Sequence, residues 1–237
     1  MSGISRYPAA NAFASFSDAP DSVYGTGMDG DATLDGSTTV LGMAPSSSVY
    51  TMTKDLYFDD LTINASVRLN PAGYRIFVKN VLTFAGNNAT IGFTTGFSTA
   101  GSIYQGGAAA TAVTHSLGGS ATGYTATAPT AAMGGTEYFK VPQQAITGYS
   151  LTASGGPTWL RGGAGGSGQA GGGVVILAAR YISGPASGNT GYIKAPATAP
   201  AGGGVIIIVS TGAALPATVS TDVTGQNAGT VNYIQLV

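Results

Sequence analysis

Apolar and polar positions alternate in short bursts through the first third of the chain. Leu56, Phe58, Leu61, Ile63, Val67, Leu69, Ile76, Val78, Leu82 and Phe84 are spaced by polar or small residues. A period near two predicts strands that bury one face. Asp59-Asp60, Asn70-Pro71-Ala72-Gly73 and Gly86-Asn87-Asn88 mark the predicted turns, giving strands of about three to six residues. Leu61-Thr-Ile63 and Val81-Leu-Thr83 stand 20 residues apart, about one coil of a parallel β-helix.

The second half carries apolar runs instead of alternation. Ala170-Gly-Gly-Gly-Val-Val-Ile-Leu-Ala-Ala-Arg180 recurs 31 residues later as Ala201-Gly-Gly-Gly-Val-Ile-Ile-Ile-Val-Ser-Thr211. Runs such as 174–179 and 205–209 are too short to span a bilayer and read as strands buried on both faces. A fainter echo aligns Ile76-Phe-Val-Lys-Asn-Val-Leu-Thr83 with Ile176-Leu-Ala-Ala-Arg-Tyr-Ile-Ser183. Repetition of one glycine-turn and buried-strand unit predicts successive rungs of one body. The last run, from Val231, alternates partly and is placed as its closing strand. The expected class is all-β: a short parallel β-solenoid or a compact β-sandwich.

Two stretches fall outside this pattern. Residues 1–27 mix Ser, Ala, Pro and Gly with isolated aromatics and predict an extended N-terminal arm. Residues 28–237 then form a single β body, interrupted at 92–160 by a Gly-, Ala-, Ser- and Thr-rich insertion that projects outward. The glycines of 162–173 precede a strand, and no Gly-Lys-Ser/Thr follows them, so they are not a phosphate loop. Close backbone packing is the physical use that remains. Gly171, Gly172, Gly173, Gly202, Gly203 and Gly204 are therefore candidates for packing between subunits, at a three-fold axis where side chains would clash.

Composition narrows the function. Of 237 residues 38 are glycine and only 8% are charged, against about 25% in an ordinary soluble domain. There is no cysteine, and the single histidine, His115, lies in the insertion, so thiolate metal sites and the common catalytic triads are excluded. Asp59 and Asp60 are adjacent, so in a strand they point to opposite faces and in a turn they are turn residues; neither makes a glycosidase pair. Asp29-Gly-Asp31 with Asp35-Gly36 resembles a calcium loop, but Thr33 and Val40 stand at the fifth and twelfth positions, where ligands are needed. No catalytic, cofactor or metal residue is assigned. Eight of the ten acids lie in residues 1–60 against Arg6 and Lys54, giving −6 there and +5 in the remainder. That asymmetry fits either a solvated acidic region or an arm that docks on a basic surface. No basic cluster suggests nucleic acid, and neither a signal core near Met1 nor a spanning segment suggests a membrane. Exposed apolar runs and open sheet edges need cover, so a homo-oligomer is expected, and a trimer is favoured.

Three segments carry a family resemblance. Gly27-Met-Asp-Gly-Asp-Ala-Thr33, Thr53-Lys-Asp-Leu-Tyr-Phe-Asp-Asp-Leu-Thr-Ile63 and Leu69-Asn-Pro-Ala-Gly-Tyr-Arg-Ile-Phe-Val-Lys79, followed by poly-Gly, Val/Ile blocks and an Ala-Ala-Arg element, resemble Gly-rich virion proteins of tailed bacteriophages. The likeness covers roughly residues 25–91 and 162–237 and implies a fold and a setting, not an active site. It implies a capsid decoration (cement) protein on the outer virion surface, or a tail-fibre or other receptor-binding protein facing a host glycan. The short arm, the lack of heptads and the absence of room for a shaft favour decoration. In that reading the arm grips the major capsid protein through Arg6, Tyr7, Phe13, Phe16, Asp18, Asp21 and Tyr24. A polysaccharide depolymerase lacks its paired carboxylates here, and no regular Thr-x-Thr ladder favours an ice-binding solenoid.

Overall fold

A computed structural model describes residues 23–94, 171–198, 202–225 and 228–236, with four short strands between 112 and 159. The strands in chain order are β1 (Gly30–Leu34), β2 (Val49–Thr51), β3 (Leu56–Ile63), β4 (Arg68–Asn70), β5 (Arg75–Phe84), β6 (Thr90–Gly92), β7 (Ala112–His115), β8 (Gly119–Thr122), β9 (Tyr149–Leu151), β10 (Pro157–Trp159), β11 (Val174–Ser183), β12 (Gly191–Lys194), β13 (Val205–Ser210), β14 (Val219–Asp222) and β15 (Thr230–Gln235). The class is all-β. Two parallel sheets carry it: a six-stranded one ordered β1-β3-β5-β11-β13-β15 and a five-stranded one ordered β14-β12-β6-β4-β2. The chain visits the two alternately, so each circuit adds one strand to each sheet, with the stretch between β6 and β11 interposed.

The repeat in the sequence is the register of the sheet. Val174 pairs with Val205 and Ala178 with Val209, at the spacing of the two glycine-led motifs. The fainter echo is also a pair of neighbours. Tyr181, Ile182 and Ser183 oppose Val81, Leu82 and Thr83 in the aligned register, whereas Leu177 opposes Ile76, one residue off. A bulge in β5 near Lys79 and Asn80 absorbs the difference, and it also sets Leu61 opposite Leu82 rather than Val81.

Asp59-Asp60 is not a turn. It lies inside β3, which runs for eight residues, and β5 and β11 run for ten, longer than the expected three to six. The bulge bends the strand without ending it. The other two predicted turns stand. Asn70 Oδ1 accepts the N–H of Ala72, and Tyr74 N–H closes on Pro71 carbonyl at 2.8 Å. At the opposite corner the same closure recurs in successive circuits, from Val67 to Asn64, Ala89 to Gly86, Asn189 to Ala186 and Val219 to Pro216. Gly92, where the insertion was expected to begin, ends β6, and Phe93 is buried against Gly173, so both pack with the body. Within it β7 pairs antiparallel with β8 and β9 with β10.

Leu56, Phe58, Leu61, Ile63, Ile76, Val78, Leu82 and Phe84 from one sheet meet Tyr50, Leu69, Ile91 and Ile193 from the other in one core. Val174, Ile176, Val205 and Ile207 face the other way, yet are also buried. Each such aliphatic contributes about 1.5–3 kcal/mol when fully buried. No helix among the described residues is long and apolar enough to cross a membrane.

The glycine motifs serve close packing of backbone within the chain. A Cβ on Gly172 would collide with the backbone of Gly204, one on Gly204 with the carbonyl of Gly173, and one on Gly203 with the carbonyl of Val223. Gly173 meets the ring of Phe93, and Gly171 and Gly202 are buried, with Gly172 N–H bonded to Gly202 carbonyl at 2.9 Å. These glycines let neighbouring circuits of one chain approach. The space a side chain would need at Gly172, Gly173, Gly203 and Gly204 is filled from within the chain.

Candidate functional site

Three surfaces gather the chemistry: the point where the arm meets the body, the acidic first edge, and a polar row on the six-stranded sheet. The arm arrives at the outer face of that sheet. Val23 and Tyr24 are 3% and 4% exposed and pack with Phe77, Ala178 and Val209. Tyr57 stacks on Phe77, ring centroids 4.8 Å apart and planes 3° from parallel, and the Arg75 guanidinium lies 5.8 Å from the Phe77 ring centre. Tyr24, one of the residues assigned to capsid contact, is packed on the chain's own sheet. Its hydroxyl is buried with no hydrogen-bond partner, and burial pushes its pKa up to about 12, with the Arg180 charge pulling the other way. Arg6, Tyr7, Phe13, Phe16, Asp18 and Asp21 lie outside the described residues.

The acids at the first edge are bound to the neighbouring strand. Asp29 accepts the N–H of Tyr57 at 2.7 Å, with Lys54 3.7 Å away. Asp31 accepts the N–H of Asp60 at 3.2 Å, and Asp60 that of Val81 at 2.9 Å, so two carboxylates in succession satisfy N–H groups where the strand register shifts. Asp59 takes the Asn80 amide at 3.1 Å and faces Lys79 at 3.9 Å. Asp55 holds the Arg75 guanidinium and also its backbone N–H. Asp35 accepts the N–H groups of Ser37 and Thr38 and the hydroxyls of Thr38 and Tyr50. The Thr38 and Ser37 N–H groups hold its carboxyl well below the usual range, while burial, then the bond to Asp35, raises Tyr50. Among the described residues no three His, Cys, Asp or Glu side chains converge as metal ligands. Six of the eight clustered acids are therefore structural acceptors, and the asymmetry of charge belongs largely to the body's first edge.

A row of hydroxyls was missed. Thr33 pairs with Thr62, Thr62 with Thr83 and Thr83 with Ser183, all on the outer face, at the strand spacing of about 4.8 Å. Tyr181 stands beside it, 51% exposed, with the Arg180 guanidinium 5.6 Å from its ring centre. The sequence separates these hydroxyls by unequal intervals, so only the register reveals them. On the outer face of the five-stranded sheet, Lys194 lies 4.1 Å from the Tyr192 ring centre and 4.0 Å from Asp222. Arg68 reaches Thr94 there, while its Nε is buried without a partner, and burial lowers its pKa.

Comparison with protein-family models, with curated proteins and with solved structures finds no match.

Proposed function

We propose that this chain is a structural virion protein of a tailed bacteriophage, a decoration protein carried on the outer face of the capsid by its N-terminal arm. One observation carries the reading: Val23 and Tyr24 are clamped on the six-stranded sheet, so residues 1–22 have a fixed mount on the body. The acids and glycines support it, being engaged in holding strands together. Deleting residues 1–22, while keeping Val23 and Tyr24, should leave the body folded and abolish binding to capsids. A truncated protein that still coats heads overturns the reading. So does density for the intact protein confined to the tail, in place of many copies over the head.

The body of that protein is read as a short parallel β-solenoid rather than a sandwich. The alternation of strands between two parallel sheets supports this. Because Ile63 pairs with Phe84, deleting residues 64–84 removes one circuit and joins Ile63 to Ala85 as Phe84 is joined now. That variant should fold, and deletion of 64–74 should not. Equal failure of both argues for a closed sandwich.

A receptor-binding protein of the tail is the second reading. The hydroxyl row with Tyr181 favours it, since polar side chains beside an exposed ring suit a sugar face. Purified protein that neither binds host cells nor blocks adsorption rules it out.

A further inference from the structure

One basic side chain of the body has no counter-charge. Among the described residues, Lys54, Arg75, Lys79 and Lys194 each stand within 4.0 Å of a carboxylate, and Arg68 donates to the Thr94 hydroxyl. The Arg180 guanidinium has neither an acid nor a hydrogen-bond partner among them. It is half-buried on the outer face of β11, where a cation without a counter-charge is costly. A guanidinium carries five N–H donors in a fixed fork.

The backbone holds that fork in place. Arg180 stands at the register shift between β11 and β5. Its carbonyl accepts the Thr211 N–H at 3.1 Å, the Thr211 hydroxyl at 2.6 Å and the Ser210 hydroxyl at 3.1 Å. The guanidinium rests 5.6 Å from the centre of the Tyr181 ring, which is 51% exposed. The acids on β3, Asp59 and Asp60, are two strands away and are engaged with Lys79, Asn80 and Val81. Two residues beyond Tyr181 on the same face, Ser183 pairs with Thr83, and neither hydroxyl has a partner among the described residues. Two residues of strand advance about 6.6 Å, close to the span from the carboxylate of a hexuronate to the hydroxyls across its ring.

We infer that Arg180, Tyr181, Ser183 and Thr83 form a subsite for an acidic sugar, a hexuronate unit of a surface polysaccharide. The guanidinium fork takes the carboxylate in two parallel hydrogen bonds. The Ser183 and Thr83 hydroxyls meet the hydroxyls on the far side of the sugar ring. The Tyr181 ring backs the guanidinium, so little freedom is lost when the anion arrives. A neutral sugar would leave the charge unanswered. The inference deepens the reading of a receptor-binding protein and rests on it for its setting, while the subsite itself is tested on the purified chain.

Full-length protein should be retarded in native gels containing alginate, a polyuronate, and not in gels containing dextran, which is neutral. Arg180→Gln should weaken the alginate affinity about ten-fold or more, with its circular dichroism unchanged. Lys194→Gln removes the same charge from the other sheet and should leave the retardation as it is. Polyacrylate has carboxylates without sugar hydroxyls and should retard the protein less than alginate does. No retardation by alginate, equal retardation by dextran or polyacrylate, or equal effects of Arg180→Gln and Lys194→Gln overturns the subsite. If Arg180→Gln abolishes alginate binding while phage carrying it adsorb normally to host cells, the subsite stands and the receptor-binding reading falls.

Discussion

Gly30 and Gly42, near the first edge of the paired sheets, hold φ of 72° and 80°, and nothing lies within 4 Å of the place their Cβ would occupy. Gly203, Gly204 and Gly229, near the last edge, have no positive φ, yet a Cβ on each would collide with backbone of the neighbouring circuit. The first group is needed for conformation and the second for space. The protection of the two edges differs in the same way. At the first, residues 35–48 fold over the core, burying Met43, and are pinned by Tyr50, whose single hydroxyl proton lies within reach of two acceptors, Asp35 at 3.0 Å and the Thr38 carbonyl at 2.8 Å. At the last, Val231 and Tyr233 are only partly covered. One edge is finished by its own chain. The other is packed tightly within and left uncharged without.

The largest test of this contrast is Gly203→Ala. Its methyl group would have to displace the Val223 carbonyl, and rigid backbone cannot yield as a side-chain tip does. A loss of about 3 kcal/mol or more, or failure to fold, is expected in urea titrations. Gly42→Ala pays only for its left-handed backbone, about 1 kcal/mol. Similar losses at the two positions would break the distinction between space and conformation.

Tyr50→Phe probes the cover at the first edge. It removes a hydroxyl that donates to one neighbour and accepts the Gly36 N–H at 3.1 Å. About 1–2 kcal/mol should be lost, with hydrogen exchange quickened in residues 35–48 and unchanged in β13 and β15. Acid should act at the same place. The Asp35 carboxyl is held low by its N–H donors, so its stabilisation is complete above the ordinary aspartate range and is lost as pH falls through the lower folded value. Protection of residues 35–48 should fall first in acid. Protection lost uniformly along the chain would argue against a separate edge cover.

How far the sequence speaks also differs between the regions. The register of β11 on β13 is readable because both strands follow three glycines and are buried on both faces, so one motif repeats at one interval. The β5–β11 register is half readable, since the bulge at Lys79 and Asn80 inserts a residue that no local pattern announces. Asp59-Asp60 looks like a turn because turn acids and bulge acids have the same composition; what separates them is the Asn80 amide and the Val81 N–H on the next strand. Glycine runs say that no side chain fits, but not whether the filling backbone belongs to the same chain. Tyr24 sits in a stretch with no period at all, and only the apolar patch of Phe77, Ala178 and Val209 makes it part of the body.

Tyr24 lies across both regions, touching β5 on one side and β11 and β13 on the other, and it gives the smallest effect, of opposite sign. Its ring belongs in the patch, but its hydroxyl is buried without a partner. Tyr24→Phe keeps the ring and removes the unsatisfied group, so stability should rise by about 1 kcal/mol. The same hydroxyl sets an alkaline limit. Its pKa is raised from 10.0 to about 12 by burial, so between those values the folded state holds a proton that the unfolded state has released. Stability is then complete below the unfolded value and falls as pH rises toward the folded one. Urea midpoints at about pH 9 and about pH 11 should therefore lie closer together in Tyr24→Phe than in the natural chain, the gap that remains belonging to Tyr50, which is raised as well. If the gap is the same in both chains, the hydroxyl is solvated, and residues 23 and 24 are not clamped on the sheet. The mount proposed for the arm would then have to lie elsewhere.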